Sequence, residues 1–67
     1  MRVEVVRGLG KIADIDDGSY EFVGTTVTVT EYHAGSERQI FVYAMRPGEF
    51  ANVIKTGPQA VKVQIDE

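Results

Sequence analysis

Apolar and polar residues alternate along most of the chain, which is the period of a β-strand. Val3 and Val5 alternate with Arg2 and Glu4, and Gly8-Leu9-Gly10 then breaks the strand. Lys11 to Val23 reads as a hairpin about Asp17-Gly18, a favoured pair for a two-residue turn. That register sets Ile15 opposite Tyr20 and Ala13 opposite Phe22 as an apolar face. Asp14 opposite Glu21 and Asp16 opposite Ser19 form the polar face. Thr25 to Tyr32, rich in threonine and valine, has strong strand composition. His33-Ala34-Gly35-Ser36 reads as a loop, and Glu37 to Met45 as the returning strand. Val27 is then expected to face Val42, Val29 to face Ile40, and Glu31 to face Arg38. The opposite face sets Thr26, Thr28 and Thr30 against Tyr43, Phe41 and Gln39.

The pattern changes over Arg46 to Pro58. An early proline, a closing Gly-Pro, and Phe50, Val53 and Ile54 at i, i+3 and i+4 predict a short helix. Ala60 to Glu67 alternates again, with Val61, Val63 and Ile65 against Lys62, Gln64 and Asp66. It reads as a half-buried strand with a charged outer face, as suits a sheet edge.

The expected order is strand, hairpin, hairpin, short helix, strand: a mainly β fold in a single domain spanning residues 1–67. Two architectures satisfy it. One is a small five-stranded barrel, SH3-like in strand order only. The other is an antiparallel sheet with the helix packed on one face. In the second the helix covers the Phe41/Tyr43/Met45 row; in the first that row becomes a contact surface. The barrel is preferred.

Composition narrows the function classes. A chain of 67 residues buries only about 60% of the surface its unfolded form exposes. It has no cysteine, so no disulfide or thiolate-bound metal supports it. It must rely on its core, a partner, or a second copy. The absence of cysteine suits a cytoplasmic protein. Glu4 and Arg7 interrupt any signal-peptide-like apolar run, and none reaches the ~18 residues of a spanning helix. The net charge of −3 opposes a dedicated binder of phosphate backbones, which usually carries a basic excess.

Little in the sequence suggests catalysis. Ser19 and Ser36 lie at expected turns, and the one histidine, His33, lies in an exposed loop without the fixed geometry a triad needs. Asp14, Asp16 and Glu21 share a face in the expected hairpin, but the spacing about Gly18 fails the EF-hand pattern at Ala13 and Gly24. Gly8-Leu9-Gly10-Lys11 has neither phosphate-loop spacing. No metal and no cofactor is expected.

The chain reads as a non-enzymatic protein–protein interaction module, either homo-oligomeric or an accessory or inhibitory subunit of a larger assembly. Its expected partner is another protein or a second copy, not a membrane. Phe41, Tyr43, Met45 and Arg46 are the expected interaction residues, because such side chains are enriched at interface centres. The alternative is a nucleic-acid-binding small β-barrel that stacks bases on Phe41 and Tyr43.

Overall fold

The computed structural model describes the whole chain, Met1–Glu67, and the alternation becomes seven strands with no helix. They are β1 (Arg2–Arg7), β2 (Gly10–Ile15), β3 (Gly18–Val23), β4 (Thr26–His33), β5 (Ser36–Ala44), β6 (Phe50–Gly57) and β7 (Ala60–Asp66). A four-stranded sheet has the order β2-β1-β7-β6 and a three-stranded sheet the order β3-β4-β5. Both sheets are open. The five-stranded barrel, the short helix and the helix-covered sheet are therefore all replaced.

Each replacement has a local cause. Arg46-Pro47-Gly48-Glu49 carries Pro and Gly at the two central positions of a turn. Gly48 has φ 89°, and the Glu49 amide donates to the Arg46 carbonyl at 3.0 Å. These are the features of a type II turn. Beyond it, Ala51 and Val53 point inward and pair with Ile65 and Val63. The strand period thus prevails over the coincidental helical spacing of Phe50, Val53 and Ile54.

Asp17-Gly18 does not join a hairpin. It carries the chain from one sheet to the other. β2 pairs with β1, setting Ile15 against Val3 and Ala13 against Val5, while β3 pairs with β4, setting Tyr20 against Val29 and Phe22 against Val27. Gly18 donates to the Met1 carbonyl at 2.8 Å, and the Asp17 carbonyl accepts from Tyr32 at 2.9 Å. The crossing is thus tied to both β1 and β4. Gly18 is buried, and a Cβ on it would run into the Thr30 carbonyl oxygen and lie 3.0 Å from Ile15 Cγ2.

β7 is central, not an edge. It runs parallel to β1, with Val3 against Val61 and Val5 against Val63, and antiparallel to β6. Val61, Val63 and Ile65 are buried, while Lys62, Gln64 and Asp66 lie half-buried on the outer face. A central strand of a one-sided sheet shows the same alternation as an edge strand.

The inner faces of the two sheets meet in one cluster. Val3, Val5, Ile15, Val61, Val63 and Ile65 come from the first sheet, and Val27 and Val29 from the second. Ala13, Tyr20, Phe41, Tyr43, Met45, Ala51 and Val53 pack around it, partly buried. No helix is long and apolar enough to cross a membrane.

Candidate functional site

The β4–β5 hairpin positions the candidate residues. Its outer end follows the expected register, with Glu31 opposite Arg38 and His33 opposite Ser36. Arg38 Nη2 lies 3.5 Å from Glu31 Oε1. The register then shifts by one residue at Ile40, so that Val29 opposes Phe41 and Val27 opposes Tyr43. Such a bulge moves every later side chain of the strand to the other face. Phe41, Tyr43 and Met45 therefore join Val27 and Val29 on the core side. Val42 is left 59% exposed on the outer face beside Thr28. The expected pairs Val27/Val42 and Val29/Ile40 do not form.

The core side of β5 leads to a single buried carboxylate. The Phe41 and Tyr43 rings lie nearly parallel, with centroids 6.3 Å apart. The Tyr43 hydroxyl lies 2.8 and 2.9 Å from the two oxygens of Glu49. Glu49 also accepts from the Arg46 amide at 2.7 Å and from Arg46 Nε at 3.1 Å. Arg7 Nη2 stands 3.0 Å from its other oxygen, and the Arg7 guanidinium lies 5.4 Å from the centre of the Tyr43 ring. The Glu49 side chain is only 3% exposed. The Arg46 amide, followed by the Tyr43 hydroxyl and the Arg46 side chain, holds its carboxyl below the usual range against the opposing effect of burial. Burial, reinforced by the neighbouring Glu49, raises the Tyr43 phenol.

Of the four expected interaction residues, the structure brings Tyr43 and Arg46 together at Glu49. Phe41 is stacked behind Tyr43, and Met45 is packed on the core. Glu49 and Arg7 were not among the sequence candidates. The Pro-Gly turn was the available signal for Glu49; nothing local points to Arg7, which comes from the other sheet.

Both oxygens of Glu49 are engaged by donors within the chain. The adjoining shallow cleft is lined by Arg7, Gly8, Glu49, Ile65, Asp66 and Glu67, with one apolar side chain among them. Small-molecule sites are mostly apolar with a few polar groups. The expected face of Asp14, Asp16 and Glu21 does not assemble. Asp14 opposes Glu4 and is held by Arg2 at 2.9 and 3.1 Å and by Lys11 at 3.3 Å, while Glu21 lies in the other sheet. No group of three or more His, Cys, Asp or Glu converges as metal ligands. Ser19 Oγ accepts from the Tyr32 hydroxyl, and His33 and Ser36 are exposed at the hairpin tip. Comparison with family models, curated proteins and solved structures finds no match to this chain.

One feature of β5 remains unpartnered. The Met45 amide donates to the Thr25 carbonyl at 2.8 Å. Hydrogen-bonded pairs alternate along an antiparallel ladder, so Tyr43/Val27 and Phe41/Val29 are the bonded pairs. The N–H and C=O groups of Val42 and Ala44 then point away from β4. β5 has no neighbour on that side. From Gln39 to Met45 the strand carries no charge.

Proposed function

We propose that the chain is a non-enzymatic protein–protein interaction module that works through the free edge of β5. The single observation that carries this reading is the uncharged, unpaired backbone edge at Val42 and Ala44. An open edge of this kind is a template for another strand, and natural proteins usually blunt theirs with charges, bulges or cover. On β5 such features, Glu37, Arg38 and the Ile40 bulge, all lie before Phe41 and leave the edge from Phe41 to Ala44 open. Phe41, Tyr43 and Met45 serve the edge from behind. They lock the strand onto the core, and Arg46 and Glu49 close its end. The module acts as a homo-oligomer or as an accessory or inhibitory subunit.

Two observations favour a protein partner over nucleic acid. Arg2, Arg7, Lys11, Arg38 and Arg46 already face carboxylates within 4 Å, which leaves Lys55 and Lys62 as the unpaired basic side chains. The rings of Phe41 and Tyr43 lie against the core, where they offer no platform for a base. Amide hydrogen exchange tests the reading. The Val42 and Ala44 amides should exchange fast in dilute solution and become protected when the partner is bound, while the Tyr43 amide is slow throughout. Salt-sensitive retardation of DNA or RNA in a gel shift would overturn it.

A further inference from the structure

We infer that the strand taken up by this edge is β5 of a second copy, paired antiparallel about a two-fold axis through Tyr43. This rests on the reading of β5 as an interaction edge and names its partner. The free groups belong to Val42 and Ala44, two residues apart on one strand, and the residue between them turns its own groups toward β4. A two-fold axis at Tyr43 places Val42 of one copy opposite Ala44 of the other. Each residue's N–H then donates to the other's C=O, and every bond recurs across the axis. An isologous contact requires this self-complementarity.

Side chains agree with the backbone. The same axis sets Phe41 opposite Met45 of the second copy, a favourable sulfur–aromatic pairing. It sets Tyr43 opposite its own counterpart. The stretch from Gln39 to Met45 holds no charge, so no like charges oppose each other at the seam. Val42 and Ala44 are exposed on the outer face, so their side chains leave the approach open. The bulge at Ile40 ends the pairing on one side, and the Arg46–Glu49 turn ends it on the other.

Other edges are less suited. β2 carries Lys11 and Asp14 on either side of its register shift and β3 carries Glu21 in mid-strand, whereas Glu37, Arg38 and the Ile40 bulge of β5 all precede the seam. The uncharged part of β6 is shorter, holds the polar Asn52 and runs into Lys55. The product of β5 pairing is one continuous six-stranded sheet, in the order β3-β4-β5-β5-β4-β3, shared by the two copies.

The experiment is sedimentation over a concentration series from low micromolar to millimolar, on the full chain and on Val42→Pro. Proline removes the Val42 N–H and is tolerated on edge strands. The full chain should pass from monomer to dimer. V42P should shift that midpoint at least about tenfold toward higher concentration, with an unchanged circular dichroism spectrum. A second pair of variants does not depend on how proline is tolerated. V42C and A44C, mixed and oxidised, should yield the mixed disulfide in preference to either homodimer. Cα atoms of a bonded antiparallel pair lie about 5.5 Å apart, within disulfide reach, and the chain has no other cysteine. A chain that stays monomeric throughout, or homodisulfides as abundant as the mixed one, would overturn self-pairing while leaving the edge open to a foreign strand. A dimer that is unmoved by V42P and unprotected at the Val42 amide would overturn the use of this edge altogether.

Discussion

The hydroxyl of Tyr43 lies 2.8 and 2.9 Å from the two oxygens of Glu49, joining the end of β5 to the turn that follows it. Arg7 reaches the same carboxylate from β1, in the other sheet. The pair is thus a tie between the two layers at the end where β5 leaves the second sheet. Replacing Glu49 by Gln keeps the shape but removes the charge and turns one acceptor into a donor facing donors. E49Q should lower the melting temperature by roughly 5–10 °C. Tyr43→Phe, which removes only the hydroxyl and keeps the ring over Arg7, should lower it less. Thermal unfolding followed by circular dichroism checks the order.

The same carboxylate shapes the acid limb of stability. Glu49 is held below its ordinary 4.5 by the Arg46 amide first, and Asp14 below its ordinary 3.8 by the Arg2 side chain first. A carboxyl depressed in the folded state stabilises above its unfolded value and loses that contribution as pH falls through the folded value. The melting temperature should therefore hold on the neutral side of 4.5 and fall below it. Asp14 is about one-third exposed and Glu49 nearly sealed, so about 1 M salt should weaken the Asp14 share and spare the Glu49 share. E49Q should flatten the acid limb at high salt, and Asp14→Asn only at low salt. The opposite result would place the acid sensitivity elsewhere.

Six of the seven strands were legible in the sequence because a period of two survives whatever the strands pair with; β6 was not, because Phe50, Val53 and Ile54 also fall at helical spacing between a proline and a Gly-Pro. Pairing was not, because alternation does not say which strand lies alongside. Ile15 opposite Tyr20 sorts as well as Ile15 opposite Val3. The parallel pairing of β1 with β7 joins the chain's two ends, and no local signal marks it. In β5 the turn and the Glu31/Arg38 pair were readable, but the one-residue bulge at Ile40 was not, and it decides which face Phe41 and Tyr43 occupy. Those residues read as a contact row or as a row under a helix, whereas they pack against the core, and the open edge of β5 became visible only once that strand had no outer neighbour.

Core and edge positions on adjacent strands should respond very differently to truncation. Val63 is fully buried at the centre of the first sheet, between Val5 on β1 and Val53 on β6. Val63→Ala should cost about 2 kcal/mol in urea unfolding, from lost burial plus the cavity left behind. Val42→Ala, at an exposed site, should cost less than about 0.5 kcal/mol. Measurements belong at low micromolar concentration, where association does not add to the apparent stability. Equal losses at the two sites would mean that Val42 is not exposed in the monomer.

Gly18 and Gly24 separate two reasons for having glycine. Gly24 turns the β3–β4 hairpin at φ 60° with nothing within 4 Å of an added Cβ. Alanine there meets only the left-handed backbone penalty of about 1–2 kcal/mol. Gly18 has no positive φ. Its constraint is contact, because an added Cβ would strike the Thr30 carbonyl oxygen, and that atom belongs to the backbone of β4 and cannot turn aside. Relief would require β3 to move away from β4. That movement would strain the Gly18–Met1 and Tyr32–Asp17 hydrogen bonds at the crossing between sheets. Gly18→Ala should therefore destabilise more than Gly24→Ala in urea unfolding. It should also speed exchange of the Gly18-proximal amides, the Tyr32 amide above all, while Gly24→Ala leaves Tyr32 protected. If Gly18→Ala proves the milder substitution and Tyr32 stays protected, the chain does not cross between its sheets at this close approach.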